Sequence, residues 1–333
     1  MKKIIFLITL VIIITIFIYQ VCISHEKCFS FNIKMHQLLP FENHRDTKKS
    51  IGVRMIQPYH NNMTSKGLLN FKKRISCDPI YPEVLLYNRI FKTGSTSISN
   101  YIEDVINNTD ISLKIGSTED WYKQGDPWPY PDHIEKYANK TDRLVYTAHF
   151  FFRPKLKIKR PFTYINILRK PVDRVVSHFF YMRNDKIRPK HRIRQLKQSG
   201  QWNETLMDCV QNQHRGCEDN VMTRFLCGVP KFCNTGSTKA LNRAKRNLVK
   251  YYAAVGILEE VDVFLKMLKQ RLPSFFVRSH HQTLRNAKKN ILKRDSRVSE
   301  DVLTIIRDRN HADVELYDFA KDVFEKRKDL CGL

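Results

Sequence analysis

The chain has 333 residues, and its 58 Lys and Arg residues against 33 Asp and Glu residues give a formal net charge of +25. It contains no internal repeats or low-complexity tracts, which excludes a solenoid and a low-complexity protein. The basic residues are spread along the chain rather than collected in one tail, and this indicates a polyanionic partner. A generally soluble basic surface is the alternative.

The amino-terminal segment predicts a membrane anchor. Residues 4–24 contain no charged side chain, which matches the roughly 20 apolar residues that a transmembrane helix needs. A cleaved signal peptide would have a shorter apolar core of about 7 to 15 residues. The two lysines before the span are expected to stay in the cytosol, so the rest of the chain lies in a lumen. We predict a cytoplasmic tail (1–3), a signal anchor (4–24), a luminal stem (25–77) and a folded domain (78–333).

Acceptor sequons for N-glycosylation agree with this single-pass type II topology. The pattern Asn-x-Ser/Thr occurs four times, at positions that predict surface loops of a luminal protein. The predicted glycosylation sites are Asn62, Asn107, Asn139 and Asn203. A luminal location also argues against nucleic acid as the polyanionic partner, and it favours a sulfated or uronate-rich polysaccharide.

A cluster of cysteines predicts disulfide bonds in the same compartment. Cys209, Cys217, Cys227 and Cys233 lie within 25 residues. Four cysteines allow three pairings, of which the near-neighbour set, 209 with 217 and 227 with 233, would close two local loops. A zinc site is the alternative, and it is disfavoured because the cluster has no C-x-x-C pair and a single histidine, His214.

The first strong element of the folded domain is an apolar run over residues 85–91, which predicts a buried strand. Apolar residues then recur at helical spacing over 98–106, and the six residues between the two are Lys-Thr-Gly-Ser-Thr-Ser. A helix that begins at Ser95 to Ser97 would direct its backbone N–H groups, with the Lys92 ammonium, at one phosphate or sulfate. The lysine precedes the only glycine, so the loop is not a Walker A motif and an NTPase is disfavoured. A plain strand-to-helix turn with an N-cap serine is the alternative.

Strand-like and helix-like patterns alternate through the rest of the domain. They predict strands within 143–152, 162–168 and 251–256, helices from 171 and over 237–249, 258–272 and 299–328, and basic segments at 186–197 and 285–294. This alternation predicts an α/β fold with a mainly parallel central sheet flanked by helices, which binds ligands at the carboxyl ends of its strands. Lys92 and Arg169 both follow such ends.

Two signatures in this domain resemble those of the Golgi uronyl 2-O-sulfotransferases. The first is Tyr87-Asn88-Arg89 with the loop 92–97, and the second is the run 164–171 with Arg174 and Ser177. Shorter segments at 227–233, 255–260 and 272–276 occur in the same order, so the resemblance covers roughly residues 80 to 330. It implies a sulfotransferase catalytic domain in the Golgi membrane that moves a sulfuryl group from 3′-phosphoadenosine 5′-phosphosulfate to the 2-hydroxyl of a hexuronic acid in a glycosaminoglycan, without a metal.

The resemblance also assigns the residues that bind this donor. It implies that Arg169 and Ser177 hold the 3′-phosphate and that Lys92 stabilises the oxygen leaving with the 5′-phosphate. The 5′-phosphosulfate cradle that it implies consists of Lys92, Thr93, Gly94, Ser95, Thr96 and Ser97.

For the acceptor side, the resemblance places His149 at the position of the catalytic base, a role that suits histidine near neutral pH. Beside three phenylalanines, a packed structural histidine is the alternative. Heparan-type members carry a second histidine two residues earlier, where this chain has Thr147. The pattern is closer to the branch that acts on dermatan and chondroitin sulfate.

Several arginines are candidates for the carboxylates and sulfates of the substrate, because guanidinium binds both groups with two hydrogen bonds. These predicted substrate contacts are Arg89, Arg192, Arg194 and Arg285; a solvated helix or loop is the alternative for the segment that holds Arg192 and Arg194. Lys170 and His178 depart from the residues common in the family. Two other functions stay open, a catalytically inactive glycosaminoglycan-binding protein and a sulfotransferase for another carbohydrate position, and relatives suggest a possible homotrimer.

Overall fold

The structure of the protein, a computed structural model, describes residues 75–107, 109–116, 131–276 and 298–333. The predicted anchor at 4–24, nearly all of the stem, Asn62 and Arg285 lie outside these residues. Within the described ranges, no helix has the length and apolar character to cross a bilayer.

A parallel sheet of five strands forms the centre of the domain, in the order β2-β3-β1-β4-β5. The strands are β1 (Val84–Asn88), β2 (Ser112–Ile115), β3 (Leu144–Ala148), β4 (Phe162–Leu168) and β5 (Tyr252–Ile257). Every residue of β1, β3 and β5 is buried, as expected for a parallel sheet that is covered on both faces. The α/β fold predicted from the alternating patterns is confirmed.

Helices surround this sheet. They are α1 (Ser95–Ile106), α2 (Pro131–Ala138), α3 (Pro171–Met182), α4 (Lys190–Gln198), α5 (Leu206–Gln211), α6 (Val221–Cys227), α7 (Thr238–Tyr251), α8 (Val261–Arg271), α9 (Pro273–Phe276), α10 (Glu300–Arg309) and α11 (His311–Leu330). Short 3-10 turns span Lys231–Asn234 and Leu258–Glu260. The main core lies between the sheet and these helices, and a smaller apolar cluster joins α3, α5 and α10.

The order of the strands places a topological switch point, where a crevice is expected, at the carboxyl end of β1. β1 lies between β3 and β4, and the chain leaves β1 toward β2 but later crosses to β4 on its other side. Such a change of direction separates the loops on the two sides and leaves room for a ligand. Arg89, His149 and Arg169 directly follow the three central strands, so the fold collects them at this crevice.

Disulfide bonds hold the periphery of the domain. The structure pairs Cys209 with Cys217 and Cys227 with Cys233, the near-neighbour set, so these four sulfurs are not available for zinc. A third bond joins Cys77 to Cys331 across 254 residues. It was not predicted, because pairing over such a separation cannot be deduced from sequence.

Some elements differ from their predicted form. The segment before β3 contains β2 and α2, which we did not predict; β2 is short, at the sheet edge, and only partly buried. The basic segment 186–197 contains helix α4, with Ile193 and Leu196 buried and the other side chains exposed or half-buried. The packed domain also begins slightly before residue 78, because Ile75 lies in the main core.

Candidate functional site

The loop between β1 and α1 has the backbone of an anion cradle. Lys92 and Gly94 both adopt positive φ angles, 62° and 83°, and the buried Thr93 between them donates its hydroxyl to the carbonyl of Ile90 at 3.2 Å. Successive residues in such conformations turn their N–H groups toward one concave surface. Glycine suits position 94 because its positive φ would strain any other residue, and a Cβ there would also force the Leu258 side chain to move.

The amino terminus of α1 opens into this loop. Its first helical hydrogen bond runs from Ile98 N–H to the Gly94 carbonyl at 3.2 Å, so the N–H groups of residues 95–97 precede the helical ladder. The partial positive charge of a helix terminus attracts phosphate and sulfate. Arg89 Nη2 donates to Thr96 Oγ1 at 3.4 Å, which brings a guanidinium to the same terminus.

The Lys92 ammonium lies in a group of cations. Its Nζ is 4.1 Å from the centre of the Tyr181 ring, a distance that allows a cation–π contact. Burial lowers the pKa of Lys92 to about 8, with further lowering by Arg169 and Arg188. A bound anion would stabilise the charged form of Lys92, because it would offset the repulsion among the three cations.

Arg169 and Ser177, the predicted residues for a second anion, lie directly after β4 and on the following helix α3. Arg169 is buried and donates to the Lys92 carbonyl at 3.3 Å; its pKa is lowered by burial, against the raising effects of Asp173 and Glu259. Ser177 Oγ is buried and has no hydrogen-bond partner among the described residues. A buried hydroxyl without a partner is costly, and a phosphate oxygen would supply the missing bond.

Glu259 connects this site to the last helix. The backbone N–H of Lys170 donates to Glu259 Oε1 at 3.2 Å, and the Tyr317 hydroxyl donates to Oε2 at 2.9 Å. The carboxylate therefore fixes the start of α3, where the Lys170 side chain itself is exposed. Sequence reasoning gave Glu259 no role, although it lies within the segment 255–260 that resembles the family.

His149 has the tautomer that a general base needs. Its Nδ1 is 3.0 Å from the Arg89 carbonyl, and a carbonyl only accepts, so Nδ1 carries the proton and Nε2 keeps its lone pair. Its ring stacks on Phe91 at 4.1 Å between centroids. The pKa of His149 is lowered to about 3, mainly by burial. The positive charge of Arg89 also lowers this pKa, and this effect is larger than the raising effect of the hydrogen bond to the Arg89 carbonyl. The imidazole is thus neutral over the physiological range.

Thr147 does not take part in the crevice. It is fully buried on β3, and its hydroxyl lies 3.3 Å from Ser99 Oγ on α1. The pair ties the helix to the sheet. The residue in place of the family's second histidine is therefore a packing residue.

His178 is a second imidazole close to His149. Its ring stacks with Phe91 at 5.5 Å between centroids, and its Nδ1 lies 3.6 Å from Glu218 Oε2. Burial lowers the pKa of His178 more than Glu218 raises it, whereas the pKa of Glu218 falls to about 2 despite its burial, because of His178. Phe91 therefore contacts two histidines, His178 on α3 and His149 in the loop after β3.

The structure separates the predicted substrate arginines. Arg89 lies in the crevice, but Arg192 donates to Gln195 of its own helix at 3.1 Å, and Arg194 is exposed on α4. Arg188 was missed: its guanidinium lies 5.1 Å from the Tyr181 ring and donates to the Tyr181 hydroxyl at 3.3 Å. The aromatic Tyr181 thus contacts both Lys92 and Arg188. Arg188 belongs to the basic segment, so charge alone could have suggested it.

The three described sequon asparagines are exposed, at the ends of α1 and α2 and before α5. The Asn139 side chain makes two hydrogen bonds to the backbone: its Nδ2 donates to the Lys157 carbonyl at 2.8 Å, and its Oδ1 accepts from the Lys159 N–H at 3.3 Å. Among the described residues, no three His, Cys, Asp or Glu side chains are grouped to hold a metal ion.

Comparison with known proteins gives a consistent picture. The model of the sulfotransferase family named Sulfotransfer_2 matches residues 80–320. Heparan sulfate 2-O-sulfotransferase 1 of Homo sapiens is 30% identical over 260 residues, which cover 73% of this chain and 70% of that protein. The heparin sulfate O-sulfotransferase of Drosophila melanogaster is 32% identical, over 74% of this chain and 73% of its own length.

Proposed function

This chain belongs to the sulfotransferase family, and we propose that it transfers a sulfuryl group from 3′-phosphoadenosine 5′-phosphosulfate to the 2-hydroxyl of a hexuronic acid in a glycosaminoglycan. The observation that carries the proposal is the neutral imidazole of His149 beside a cradle for two anionic groups. The carboxyl ends of the three central strands would thus supply both the base and the donor site.

The donor fits the residues of the crevice. The loop 92–97 offers backbone N–H groups and the Lys92 ammonium to the 5′-phosphosulfate. Arg169 and the unpartnered hydroxyl of Ser177 suit the 3′-phosphate. These are the two sites that a nucleotide with separate 3′ and 5′ anions requires.

In the transfer step, the acceptor hydroxyl oxygen forms a bond to sulfur while the bond from sulfur to the bridging phosphate oxygen breaks. The hydroxyl proton goes to His149 Nε2, and the electron pair of the broken bond stays on the 5′-phosphate of the departing nucleotide. Lys92 stabilises this developing charge. The anionic donor and acceptor oppose the effect of Arg89 on His149, and so raise the low pKa of this base when they bind.

The type of polysaccharide is the finer part of the proposal. The relatives reported above are named for heparan sulfate or heparin sulfate. The Thr147-x-His149 pattern instead supports dermatan or chondroitin sulfate. We keep both iduronate and glucuronate acceptors in the proposal, together with a type II anchor at 4–24 in the Golgi membrane.

The direct test incubates the full chain with labelled donor and with desulfated dermatan, chondroitin and heparan chains, followed by disaccharide analysis of the products. We expect 2-O-sulfated uronate in at least one of the three, and none with Lys92→Ala. Sulfate at another position would overturn the assigned regiochemistry. If a folded protein gives no product and calorimetry detects no binding of the donor nucleotide, the result would support the inactive polysaccharide-binding alternative.

A further inference from the structure

Helix α7 carries a row of basic side chains that the proposed mechanism does not use. Among the described helices of nine or more residues, only α4 and α7 contain no Asp or Glu. The row consists of Lys239, Arg243, Arg246 and Lys250, hereafter the α7 basic stripe. Lys239, Arg246 and Lys250 are exposed and Arg243 is half-buried.

The stripe lies along one line of the helix. Its members are spaced by four, three and four residues, so they share a face, and the buried residues of α7, such as Ala244 and Leu248, occupy the opposite face. Eleven residues of helix place the first and last cation about 16 Å apart. Like charges at this spacing destabilise a helix, and an ordinary solvated face alternates its signs.

Neighbouring residues hold part of the stripe in position. Lys239 Nζ lies 4.5 Å and the Arg243 guanidinium 6.0 Å from the centre of the Phe232 ring, and Phe232 is inside the loop closed by Cys227 and Cys233. Arg243 Nε also donates to the Cys227 carbonyl at 3.0 Å. Side chains ordered in advance lose less entropy when they bind a ligand.

A series of contacts connects Arg243 of the stripe to the crevice. Arg243 is bonded to the carboxyl end of α6, and Phe225 of the same helix contacts Phe91, which stacks on His149. A polysaccharide extends far beyond the one uronate at His149, so its outer sugars need a surface near the crevice. A straight row of cations fits a linear polyanion better than a compact anion.

We propose that the α7 basic stripe is a second contact surface for the sulfated or uronate-rich polysaccharide, outside the catalytic crevice. This inference rests on the proposed function for the nature of the polymer. It predicts that the stripe affects long acceptors and leaves short ones unchanged.

The test compares two charge-matched triple variants of the full chain. Lys239→Gln/Arg246→Gln/Lys250→Gln removes the three exposed stripe cations and spares Arg243, which makes a structural hydrogen bond. Lys266→Gln/Lys269→Gln/Lys326→Gln removes three exposed cations from α8 and α11. For each protein, KM is measured with a long polymer and with a short oligosaccharide, and polymer affinity is measured against salt concentration.

We expect the stripe variant to raise KM for the long polymer by roughly fivefold to tenfold, as three exposed ion pairs of about a factor of two each would give. Its salt dependence should fall by about one unit of slope per lost contact. KM for the short acceptor and both values of the control variant should stay at wild type.

Equal KM values for the two variants on the polymer, or equal salt slopes, would overturn the inference while leaving the proposed function intact. Loss of binding to anionic lipid vesicles with unchanged polymer binding would overturn it in favour of a membrane contact. If the wild type sulfates no acceptor, the proposed function fails, and the salt slopes of polymer binding still decide the role of the stripe.

Discussion

The donor half and the acceptor half of the crevice are built differently. The donor half consists of a loop in left-handed conformations, a helix terminus and the buried Arg169 and Ser177. The proposed acceptor half combines one buried imidazole, His149, with the half-buried Arg89. In the proposed mechanism, donor binding would therefore depend on the backbone of the fold, whereas acceptor binding would depend on side chains that can be replaced singly.

The substitution His149→Ala is expected to show the largest difference between the two halves, because it should affect turnover but not donor binding. We expect kcat to fall by about 10²- to 10⁴-fold, the range for removal of a general base, while calorimetry finds the affinity for the desulfonated donor nucleotide within about twofold. The control is His191→Ala, which removes an exposed histidine from α4. Retained turnover in His149→Ala would assign the base to another residue.

Gly94→Ala tests whether the donor half depends on the backbone conformation of its loop. A left-handed alanine costs about 1 to 2 kcal/mol, and its Cβ overlaps Leu258, so we expect donor-nucleotide affinity to drop at least tenfold. Gly200→Ala is the matched control, since Gly200 has a φ of 73° but open space around its Cβ position. If both variants bind the nucleotide like wild type, the cradle does not depend on this conformation.

Donor binding should also depend on pH through Lys92. The pKa of this lysine is about 8 in the unliganded protein, and a bound anion raises it, so affinity is full below pH 8 and falls as pH rises through this value. We expect a loss of up to about tenfold per pH unit above pH 8. In Lys92→Arg the guanidinium stays charged, and the affinity measured over the same range should be flat; a parallel decline in both proteins would contradict the role of Lys92.

The smallest effect is expected from Thr147→Val. Because its hydroxyl pairs with Ser99 inside the core, the substitution should lower the free energy of unfolding by about 1 kcal/mol and leave kcat within about twofold. Denaturant unfolding and steady-state rates measure the two. A large loss of turnover at unchanged stability would move Thr147 into the acceptor half.

Prediction from the sequence also succeeded for local elements of the crevice and failed for contacts between distant elements. The β1-loop-α1 unit was predicted correctly, because an apolar run marks the strand, Gly94 marks the turn, and helical spacing marks the helix. The donor-binding role of its residues stays a prediction. The contacts of Tyr181 with Lys92 and Arg188 were missed, since they join two elements whose relative position depends on tertiary packing. The Thr147 contact with Ser99 spans 48 residues and was missed for the same reason.

Outside the crevice, weak local signals explain the failures. β2 has four residues, of which Ser112 and Ile115 are exposed, so it lacks the apolar run that identified the central strands. Its pairing with β3, not its own composition, makes it a strand.

The bond between Cys77 and Cys331 affects how the domain can be released from a membrane. It makes the chain between these residues a covalent ring, so a protease that cuts within the ring leaves both fragments attached until the disulfide is reduced. With the proposed anchor at 4–24, only a cut on the amino side of Cys77 sheds a soluble enzyme. With this anchor, cuts in the exposed loops of the domain would leave it attached to the membrane, and only a cut in the stem would release it.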